Sequence, residues 1–538
     1  MKTFKHLADK IVKFILRSSP VQATHVGCHL YDHELDTVDL DSILERHGQR
    51  KDFLRQLQDI AQETLTDDEH IDLQLIVGAL QSDIRTEEAL RPWQTNPVRY
   101  IRLCMHGLYT LLYRDYAPVE QRAEAFLQRA KKIPGLLRTA QHSLEESPAV
   151  FTRVALEQTG SAVHFSQHMI TRIASTVPCI GKDLDRIRPK LLSAFDGYAQ
   201  FLSTKIRTQR RGFAIGARLF DFMLKNDHML PYGMHDIADI GKAAKRNAQR
   251  ELKQLARTIH KKKSWKAVAA DLKKQHPEQG QLTTAYRREM KKVKRFVKDQ
   301  KLVAIPPNET LRVVPTPLFQ RSLLPFAAYM PVAPLEEEQV GFFYVTPIGR
   351  RLTDEQKEKQ LQGHSKYKIP IIALHEGYPG HHLQLTHASR AGSMLRKLLR
   401  TTVFVEGWAL YCEEMMYEAG YYTDPRIVFM KWLAELWRAC RVLIDVGLHT
   451  RTMSYQQAVD FLVRDALVEP VHAEKEVTRY TLSPTQPLSY VIGKKQILAL
   501  RSAYQKKAGT AFRLRDFHDE LLSFGSIPVV LIQRAMGL

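Results

Sequence analysis

The segment from Ile371 to Gln384 reads IIALHEGYPGHHLQ. His375 and Glu376 follow a short apolar run, and His381 and His382 come directly after a Pro-Gly pair. Imidazoles and a carboxylate this close together suit a zinc ion and the general base that acts beside it. The usual zinc-peptidase helix has the pattern HExxH, in which both histidines lie on one face. Here the second histidine comes six or seven residues after the first, so that pattern does not apply.

The wider spacing predicts a break in the helix between the histidines. On a straight helix, a residue six positions after His375 lies about 240° around the axis, and one seven positions after it lies about 10.5 Å further along. Pro379 lacks a backbone N–H and collides with the carbonyl group four residues earlier. Gly380 permits backbone angles that other residues avoid. We therefore expect the helix to bulge or end at 378–380, so that a later histidine turns back. The alternative is a helix cap that contains histidines by chance.

Glu406 is the best candidate for the third protein ligand that a catalytic zinc site needs. It follows His381 at a distance that allows a turn and a second antiparallel helix, and it interrupts an otherwise apolar run, 403–410. A buried carboxylate is costly unless it is paired or bound to metal. The alternative is a surface carboxylate favoured by the dipole at a helix N-terminus. Glu413 and His382 are the second choices, as ligands or as hydrogen-bond partners of a ligand.

The composition is typical of a soluble globular protein. The chain has 538 residues, 44% hydrophobic and 25% charged, which is enough for a large core in two lobes. No apolar run is long enough for a membrane span. Charged residues interrupt the N-terminal stretch from Met1 to Pro20, which predicts an amphipathic helix rather than a signal peptide. Five scattered cysteines without a CxxC pair favour reduced thiols and a cytoplasmic location.

Most of the net charge of +21 lies between Lys242 and Lys301. This segment contains 20 Lys or Arg and 5 Asp or Glu, a balance of +15, so the rest of the chain carries +6. Leu252, Leu255 and Ile259 recur at helical intervals, which predicts helices with a solvated basic face. The alternative is an anionic partner such as an acidic peptide, a lipid headgroup or nucleic acid. No nucleic-acid-binding motif supports the last of these, although segment 242–301 leaves it open.

The spacing of apolar residues predicts helices over most of the chain. Residues 1 to about 230 repeat them at intervals of three and four, and the chain after the histidines does the same. Prolines cluster between Ile305 and Pro347 around two β-rich runs, 311–314 and 341–346, which predict a small sheet.

We therefore predict a mainly α fold: a large, two-lobed helical protein with a deep cleft, in which the small β-sheet precedes the zinc helix. Pro370 is placed to begin that helix, because proline is favoured in the first turn. The polar stretch 350–368 is expected to be a surface connection, with a mobile flap as the alternative. The predicted parts are an N-terminal helical lobe (1–240), a basic helical segment (241–304) and a catalytic zinc-binding region with the sheet and C-terminal helices (305–538).

Glu376, beside the first histidine, is the candidate general base. Two neutral histidines and one carboxylate leave a zinc site positively charged, which lowers the pKa of a bound water toward neutrality. Glu376 then accepts a proton as the water attacks a carbonyl group. Tyr490, in the run QPLSYVIG, is the preferred donor to the anionic intermediate, with a tyrosine of the core as the alternative. Arg479, His449 and Asp445 are candidates for substrate recognition or ligand support, and structural ion pairs explain them equally well.

These residues resemble a known family, the bacterial proteins with domain of unknown function 885, which are grouped with the gluzincin-type zinc metallopeptidases. The resemblance extends over nearly the whole chain, and its most specific part is the segment 375–384. The other matching motifs are GCHLYD (27–32), YVTP (344–347), EGWALY (406–411), LWRA (436–439), FHD (517–519) and GSIP (525–528).

The resemblance implies a mainly helical fold similar in logic to thimet-type oligopeptidases and Taq-type carboxypeptidases. In those relatives two histidines and a downstream glutamate hold zinc, which implies His375, His381 and Glu406 as ligands. The glutamate beside the first histidine is their base, which implies Glu376. A tyrosine late in their chains stabilises the oxyanion, which implies Tyr490.

A short strand before the zinc helix pairs with the substrate backbone in such enzymes. The resemblance therefore implies this role for Phe343–Val345 and makes Tyr344 a substrate-binding residue. This sequence departs from those relatives because two extra residues stand between the histidines, which leaves His382 as the alternative to His381.

The sequence favours a zinc-dependent metallopeptidase that cleaves short peptides with one zinc ion per chain. Its positive charge favours acidic peptides or a free C-terminal carboxylate. A zinc amidase or esterase that acts on non-peptide conjugates is the alternative among hydrolases. The third hypothesis is a basic binding protein with a structural or lost metal site. An open coordination position beside a base argues against it, because structural zinc is normally closed by four protein ligands.

Overall fold

The computed structural model describes residues 3–206, 211–317, 321, 327–349 and 352–538, and the chain forms two compact units. Unit 1 spans Met1–Phe213 and unit 2 spans Ala214–Leu538. The predicted mainly helical fold with a small sheet is confirmed. The predicted limit near residue 240 falls inside a helix of unit 2, so the two units divide the chain differently from the three predicted parts.

Unit 1 is built of helices, and its first helix buries one face, as its amphipathic sequence predicts. A capping box starts the fourth helix, in which the Thr66 hydroxyl accepts from the Glu69 N–H and the Glu69 carboxylate accepts from the Thr66 N–H. The helices are α1 (Phe4–Ser18), α2 (Pro20–Val26), α3 (Leu40–Gln58), α4 (Asp67–Leu90), α5 (Pro92–Thr95), α6 (Pro97–Tyr109), α7 (Val119–Ser143), α8 (Ala149–Thr176) and α9 (Gly181–Lys205).

Arg129 on α7 is a fully buried cation that joins several segments of unit 1. It donates to the Gly107 carbonyl at 2.7 Å, the Glu34 carbonyl at 2.8 Å and the Thr24 hydroxyl at 2.6 Å. The Thr24 hydroxyl in turn donates to Asp32 at 2.6 Å, which lies in the GCHLYD motif. Buried charges are tolerated only when hydrogen-bonded in this way, so this motif has a structural role in unit 1.

Unit 2 contains the other helices and the sheet. None of the helices in the described residues is long and apolar enough to cross a membrane. The helices are α10 (Ala217–Asn226), α11 (Met234–Ile259), α12 (Trp265–Lys273), α13 (Leu282–Asp299), α14 (Asp354–Gln362), α15 (Ile369–Glu376), α16 (His381–Ala388), α17 (Met394–Leu398), α18 (Thr402–Glu418), α19 (Pro425–His449), α20 (Tyr455–Ala466), α21 (Pro470–Thr481), α22 (Ser489–Ala508), α23 (Leu514–Ser523) and α24 (Val529–Ala535).

The basic segment forms α11, α12 and α13, so its predicted helical character is confirmed. Leu252 on α11 and Val293 on α13 are fully buried, whereas Lys253 and Arg257 are exposed. The basic side chains thus cover the outer faces of helices whose apolar faces pack inward. A binding partner for this segment stays a prediction.

The sheet has three strands in the order β1-β3-β2. The strands are β1 (Glu309–Pro315), β2 (Ala327–Met330) and β3 (Gln339–Val345). β1 runs parallel to β3 with Val313 opposite Phe343, and β2 runs antiparallel to β3 with Tyr329 opposite the same residue. The two predicted β-rich runs lie in β1 and β3, and β2 was not predicted. β3 is therefore the central strand.

Two glycines allow α18 and α22 to pack with their backbones in contact. A Cβ atom on Gly493 would lie 1.9 Å from the Val403 carbonyl oxygen and 2.6 Å from the Cα of Gly407. These distances are far below van der Waals contact, so neither helix accepts a larger residue here. The close approach brings Glu406 on α18 near Tyr490 on α22.

We predict that Gly493→Ala destabilises the protein by about 3 kcal/mol, because the new methyl group forces two packed helices apart. Gly160→Ala is the matched control, since it lies within α8 with nothing within 4 Å of the added Cβ. That substitution should stabilise α8 by about 0.5–1 kcal/mol. Denaturant unfolding followed by circular dichroism measures both. Equal stability of Gly493→Ala and the parent chain would contradict the packing described.

Candidate metal centre

The helix that carries His375 ends before the second histidine, as the sequence predicts. α15 ends at Glu376, and α16 begins at His381. A Cβ atom on Gly380 would lie 1.9 Å from the His375 carbonyl oxygen, so only glycine fits at this point. The Gly380 N–H donates to the Leu374 carbonyl at 3.0 Å, and the peptide bond before Pro379 is cis. The two histidines therefore project from two different helices.

His375, His381 and Glu406 converge in unit 2. One potential ligand atom from each lies within 4.8 Å of the others. Glu406 Oε2 lies 3.2 Å from His381 Nε2 and 3.9 Å from His375 Nε2. The side chains are only 7%, 11% and 17% exposed for His375, His381 and Glu406 respectively. Two imidazole nitrogens and one carboxylate oxygen thus face a common point.

The donor set fits a divalent metal ion such as zinc, which takes histidine nitrogen and carboxylate oxygen as ligands. Glu406 Oε2 is buried and makes no well-aligned hydrogen bond within the described residues. An unsatisfied carboxylate oxygen in a buried site is costly, and a bound cation would remove that cost. His375, His381 and Glu406 are therefore the residues that would hold the ion.

Glu413 orients His375 from the opposite side of the ring. His375 Nδ1 lies 2.8 Å from Glu413 Oε1, and Arg438 donates to the same oxygen at 2.9 Å. A carboxylate on Nδ1 leaves Nε2 of His375 free to face the cluster and fixes the ring. Of the two roles considered for Glu413, the structure places it as a partner of His375. Burial, opposed by Arg438, raises the pKa of Glu413 to about 7.

The electrostatics of the cluster favour a positive charge at its centre. Burial opposes the ionisation of Glu406, but the imidazoles of His381 and His375 outweigh it and hold its pKa at about 2. Burial, together with the neighbouring His381, lowers the pKa of His375 well below its usual value. His375 is therefore neutral near pH 7, which is the form that binds a metal ion.

Glu376 ends α15 and lines a cavity of about 480 Å³ in unit 2. Its carboxylate makes no hydrogen bond or ion pair with the part of the chain that the structure describes. Burial raises the pKa of Glu376, and the nearby Glu406 adds to that rise. A carboxylate with a raised pKa beside three potential metal ligands is suited to accept and release a proton.

Tyr490 lies beside the cluster and lines the same cavity. Its hydroxyl donates to Glu406 Oε1 at 3.0 Å, and its ring is stacked on that of His375 at 6.4 Å. The guanidinium of Arg441 lies 4.9 Å from the Tyr490 ring centroid. The structure thus brings this tyrosine, which lies far along the chain, against the proposed ligands.

His382 faces away from the cluster. Its Nε2 lies 2.6 Å from Glu309 Oε2 and its Nδ1 lies 3.1 Å from the Tyr329 hydroxyl, so both nitrogens are engaged. The Tyr378 hydroxyl also donates to Glu309 Oε2 at 2.6 Å, and Lys294 contacts the other carboxylate oxygen. The network ties β1 to the turn before α16. In the structure it is His381 that lies in the cluster.

The structure does not bring Tyr344 or Arg479 into the site. Tyr344 lies on β3, which is paired on both sides by β1 and β2, so its backbone has no free edge for a substrate. The backbone of Phe343–Val345 is thus paired within the sheet, and a role of Tyr344 in substrate binding stays a prediction. Arg479 bonds to Glu476 at 2.9 Å and to Gln486 at 2.8 Å and does not line the cavity.

Asp445 and His449, the remaining candidates, also have structural contacts. Asp445 accepts from the backbone N–H groups of Thr485 and Leu488 at 3.2 and 3.3 Å, and His449 contacts the Tyr480 carbonyl at 3.1 Å. Asp445 thereby holds the segment that leads into α22 and Tyr490.

Sequence reasoning missed Glu309 and Arg438, which act through long-range contacts. Arg438 stands in the LWRA motif, so that motif could have indicated a functional role for this arginine. Glu309 lies between Asn308 and Thr310 without any local pattern, and its partner His382 is far along the chain.

We predict that Glu309→Gln destabilises the protein by about 3 kcal/mol near pH 7, since it removes the charge that pairs with His382 and Lys294. Burial alone would raise the pKa of Glu309, but the bonds from His382, Lys294 and Tyr378 lower it to about 2. Because the pKa of Glu309 is lower in the folded than in the unfolded chain, the ionised carboxylate stabilises the fold. This contribution is complete above the unfolded pKa of 4.5 and is lost as the pH falls toward about 2. The difference between parent and variant should therefore shrink over this interval.

Denaturant unfolding at pH 7 and at several values below pH 4.5 measures this difference. Glu338→Gln is the control, because Glu338 is exposed beside β3, and it should change stability by less than about 0.5 kcal/mol. A constant difference at all pH values would contradict the proposed ionisation of Glu309.

Two solved structures share the fold of this chain. A protein described as a putative lipoprotein of unknown function from Shewanella oneidensis superposes with a TM-score of 0.83 at 23% identity and covers 100% of both chains. A putative lipoprotein from Colwellia psychrerythraea has a TM-score of 0.85 at 17% identity and covers 100% of this chain and 99% of its own. At these identities the likeness concerns the fold alone.

No curated protein matches the chain. A family model described as "Bacterial protein of unknown function (DUF885)" matches residues 20–536. This match includes both units and every residue of the candidate metal centre. The chain therefore belongs to the DUF885 family of bacterial proteins.

Proposed function

We propose that the chain is a zinc-dependent hydrolase, a gluzincin-type metallopeptidase that cleaves short peptides. The observation that carries the proposal is the convergence of His375, His381 and Glu406 beside a free carboxylate, that of Glu376, on the wall of one cavity. Three protein ligands with a base beside them are typical of catalytic rather than structural zinc sites.

A zinc ion held by these ligands would supply Lewis-acid activation of a water molecule and of the scissile carbonyl group. Glu376 accepts the proton of the attacking water and returns it to the leaving amine. Tyr490 donates a hydrogen bond to the oxyanion that develops on the carbonyl group. Glu413 keeps His375 in the required tautomer throughout.

The cavity beside the cluster supports a small substrate. Its volume of about 480 Å³ lies within the range of pockets that enclose small ligands. Ile371, Ile372, Met430 and Leu433 give it an apolar wall. A short peptide placed against this wall presents a carbonyl group to Glu376. The deep cleft implied by the family resemblance is part of this proposal.

The location of the protein is a separate question. The two solved structures are described as those of putative lipoproteins, and the cytoplasmic location expected from the cysteines stays a prediction. All five cysteines are free in the structure.

We expect the purified chain to retain about one zinc per molecule after dialysis, because two histidines and one carboxylate form a three-ligand site. Glu376→Gln should keep the metal and lose peptide cleavage by about 10²–10⁴-fold, whereas His375→Ala should lose both. His142→Ala on α7 is a control that should keep both. Elemental analysis and mass spectrometry of a peptide library give the two readouts. Absence of zinc in the parent chain, or its retention in His375→Ala, would refute the proposed centre.

Tyr490→Phe should lower kcat by about 10²–10³-fold, as expected for one lost oxyanion donor, with zinc content and KM little changed. The alternative role, holding Glu406 through their hydrogen bond, predicts weaker zinc binding instead. Tyr417→Phe on α18 removes a hydroxyl from a tyrosine that is 41% exposed and should have no effect. Full activity of Tyr490→Phe would exclude the proposed donor.

A further inference from the structure

Lys368 is a cation that lines the cavity beside the candidate metal centre. It is the residue immediately before α15, it is half-buried, and it lines the same cavity as His375 and Glu376. Within the described part of the chain its ammonium group makes no hydrogen bond and no ion pair. Burial, with Lys273 and Arg438 nearby, lowers the pKa of Lys368 to about 8. Such a placement is costly unless something compensates the charge.

Other buried lysines of unit 2 are paired. Lys494 donates to Glu414 at 2.9 Å and to Glu435 at 2.8 Å, and Lys431 contacts the same two carboxylates. In these two cases the fold supplies carboxylates to a buried lysine. Lys368 is an exception that lines the cavity beside the candidate metal centre.

Three other cations of the cavity wall have partners of their own. Lys273 donates to the Leu467 carbonyl at 2.9 Å, Arg438 pairs with Glu413 at 2.9 Å, and Arg441 pairs with Glu476 at 3.1 Å. These groups add positive potential around Lys368 without neutralising it. Three carboxylates stand against six basic residues in the wall, which are Lys273, Lys359, Lys368, Arg438, Arg441 and Lys475. The ligand that this wall would attract is an anion.

The helix sets the distance between this cation and the reacting groups. Lys368 stands seven residues before His375 and eight before Glu376, and all three line the cavity. Seven residues correspond to a rise of about 10.5 Å. Ile371 and Ile372 line the cavity between them. An extended peptide advances about 3.3–3.6 Å per residue, so this interval spans about three residues, or two if the lysine stem bends inward.

We infer that Lys368 binds a substrate carboxylate two to three residues from the scissile bond, which makes the site selective for short peptides with a free carboxylate near the cleaved bond. The inference rests on the proposed peptidase function. The carboxylate is either the C-terminus of the peptide or an aspartate or glutamate side chain. The first makes the enzyme remove short C-terminal fragments, and the second makes it cleave near acidic residues.

A matched peptide library distinguishes these sources. Each sequence is prepared with a free C-terminus and as its amide, and amides with glutamate two or three residues after the cleaved bond form a third set. The zinc-loaded parent chain should cleave the acids with a kcat/KM at least about tenfold above that of the plain amides, as expected for a hydrogen bond to a charged group. If the glutamate amides match the acids, the side chain is an accepted source. Equal rates for all three sets would overturn the inference.

Lys368→Met should abolish the preference by raising KM for the acids while leaving the plain amides unchanged. Lys359→Met is the matched control, because Lys359 lines the same cavity but is exposed and paired with Glu355 at 2.7 Å. It should keep the preference. Lys368→Gln is a second variant that removes the charge with less change in polarity, and it should behave like Lys368→Met. An acid preference retained in both Lys368 variants would overturn the inference.

A binding readout separates this inference from the proposed function. Succinate should raise the Tm of the parent chain by ligand linkage, and succinamide should not. The shift should vanish in Lys368→Met and persist in Lys359→Met. If the parent chain cleaves no peptide but shows this pattern, the peptidase proposal fails and the carboxylate subsite stands. If peptides are cleaved but succinate gives no Lys368-dependent shift and acids are not preferred, the subsite fails alone.

Discussion

The turn between His375 and His381 leaves no room for a side chain at Gly380, and the candidate metal centre depends on this close approach. The glycine lies against the carbonyl group of His375, which stops α15 and starts α16 within a few residues. The Pro379 carbonyl accepts from Trp408 Nε1 at 2.8 Å. Because Trp408 lies two residues after Glu406, this bond ties the turn to the helix of the third candidate ligand. One local constraint thus positions all three.

A second constraint is the contact between Gly407 and Gly493. It lets α18 and α22 approach closely enough for the Tyr490 hydroxyl to reach Glu406. Backbone contact of this kind places side chains more rigidly than contacts between long side chains, because fewer rotatable bonds intervene. The candidate ligands and the candidate oxyanion donor are therefore held by backbone geometry.

Three glutamates near the centre differ in their surroundings and so in their ionisation. Imidazoles hold the pKa of Glu406 at about 2, burial raises the pKa of Glu376, and burial raises that of Glu413 to about 7. Such divergence among neighbouring carboxyl groups is how a site separates a ligand from a proton acceptor. It agrees with Glu406 as the ligand and Glu376 as the base. Lys368, at the start of α15, is a further ionisable group near the centre whose pKa is shifted by burial.

The sequence by itself determined the mainly helical fold, two of the three strands and the helix break, because proline and glycine act on the backbone within one turn. It also indicated Glu406, since a carboxylate in an apolar run needs a partner. Tertiary structure decided that His381 and not His382 faces the cluster, because His382 is held by Glu309 from a distant strand. It also decided that β3 lies between two strands, and that Lys368 lines the cavity without pairing with a carboxylate of the described residues. These features depend on residues far apart along the chain, whose proximity no local pattern records.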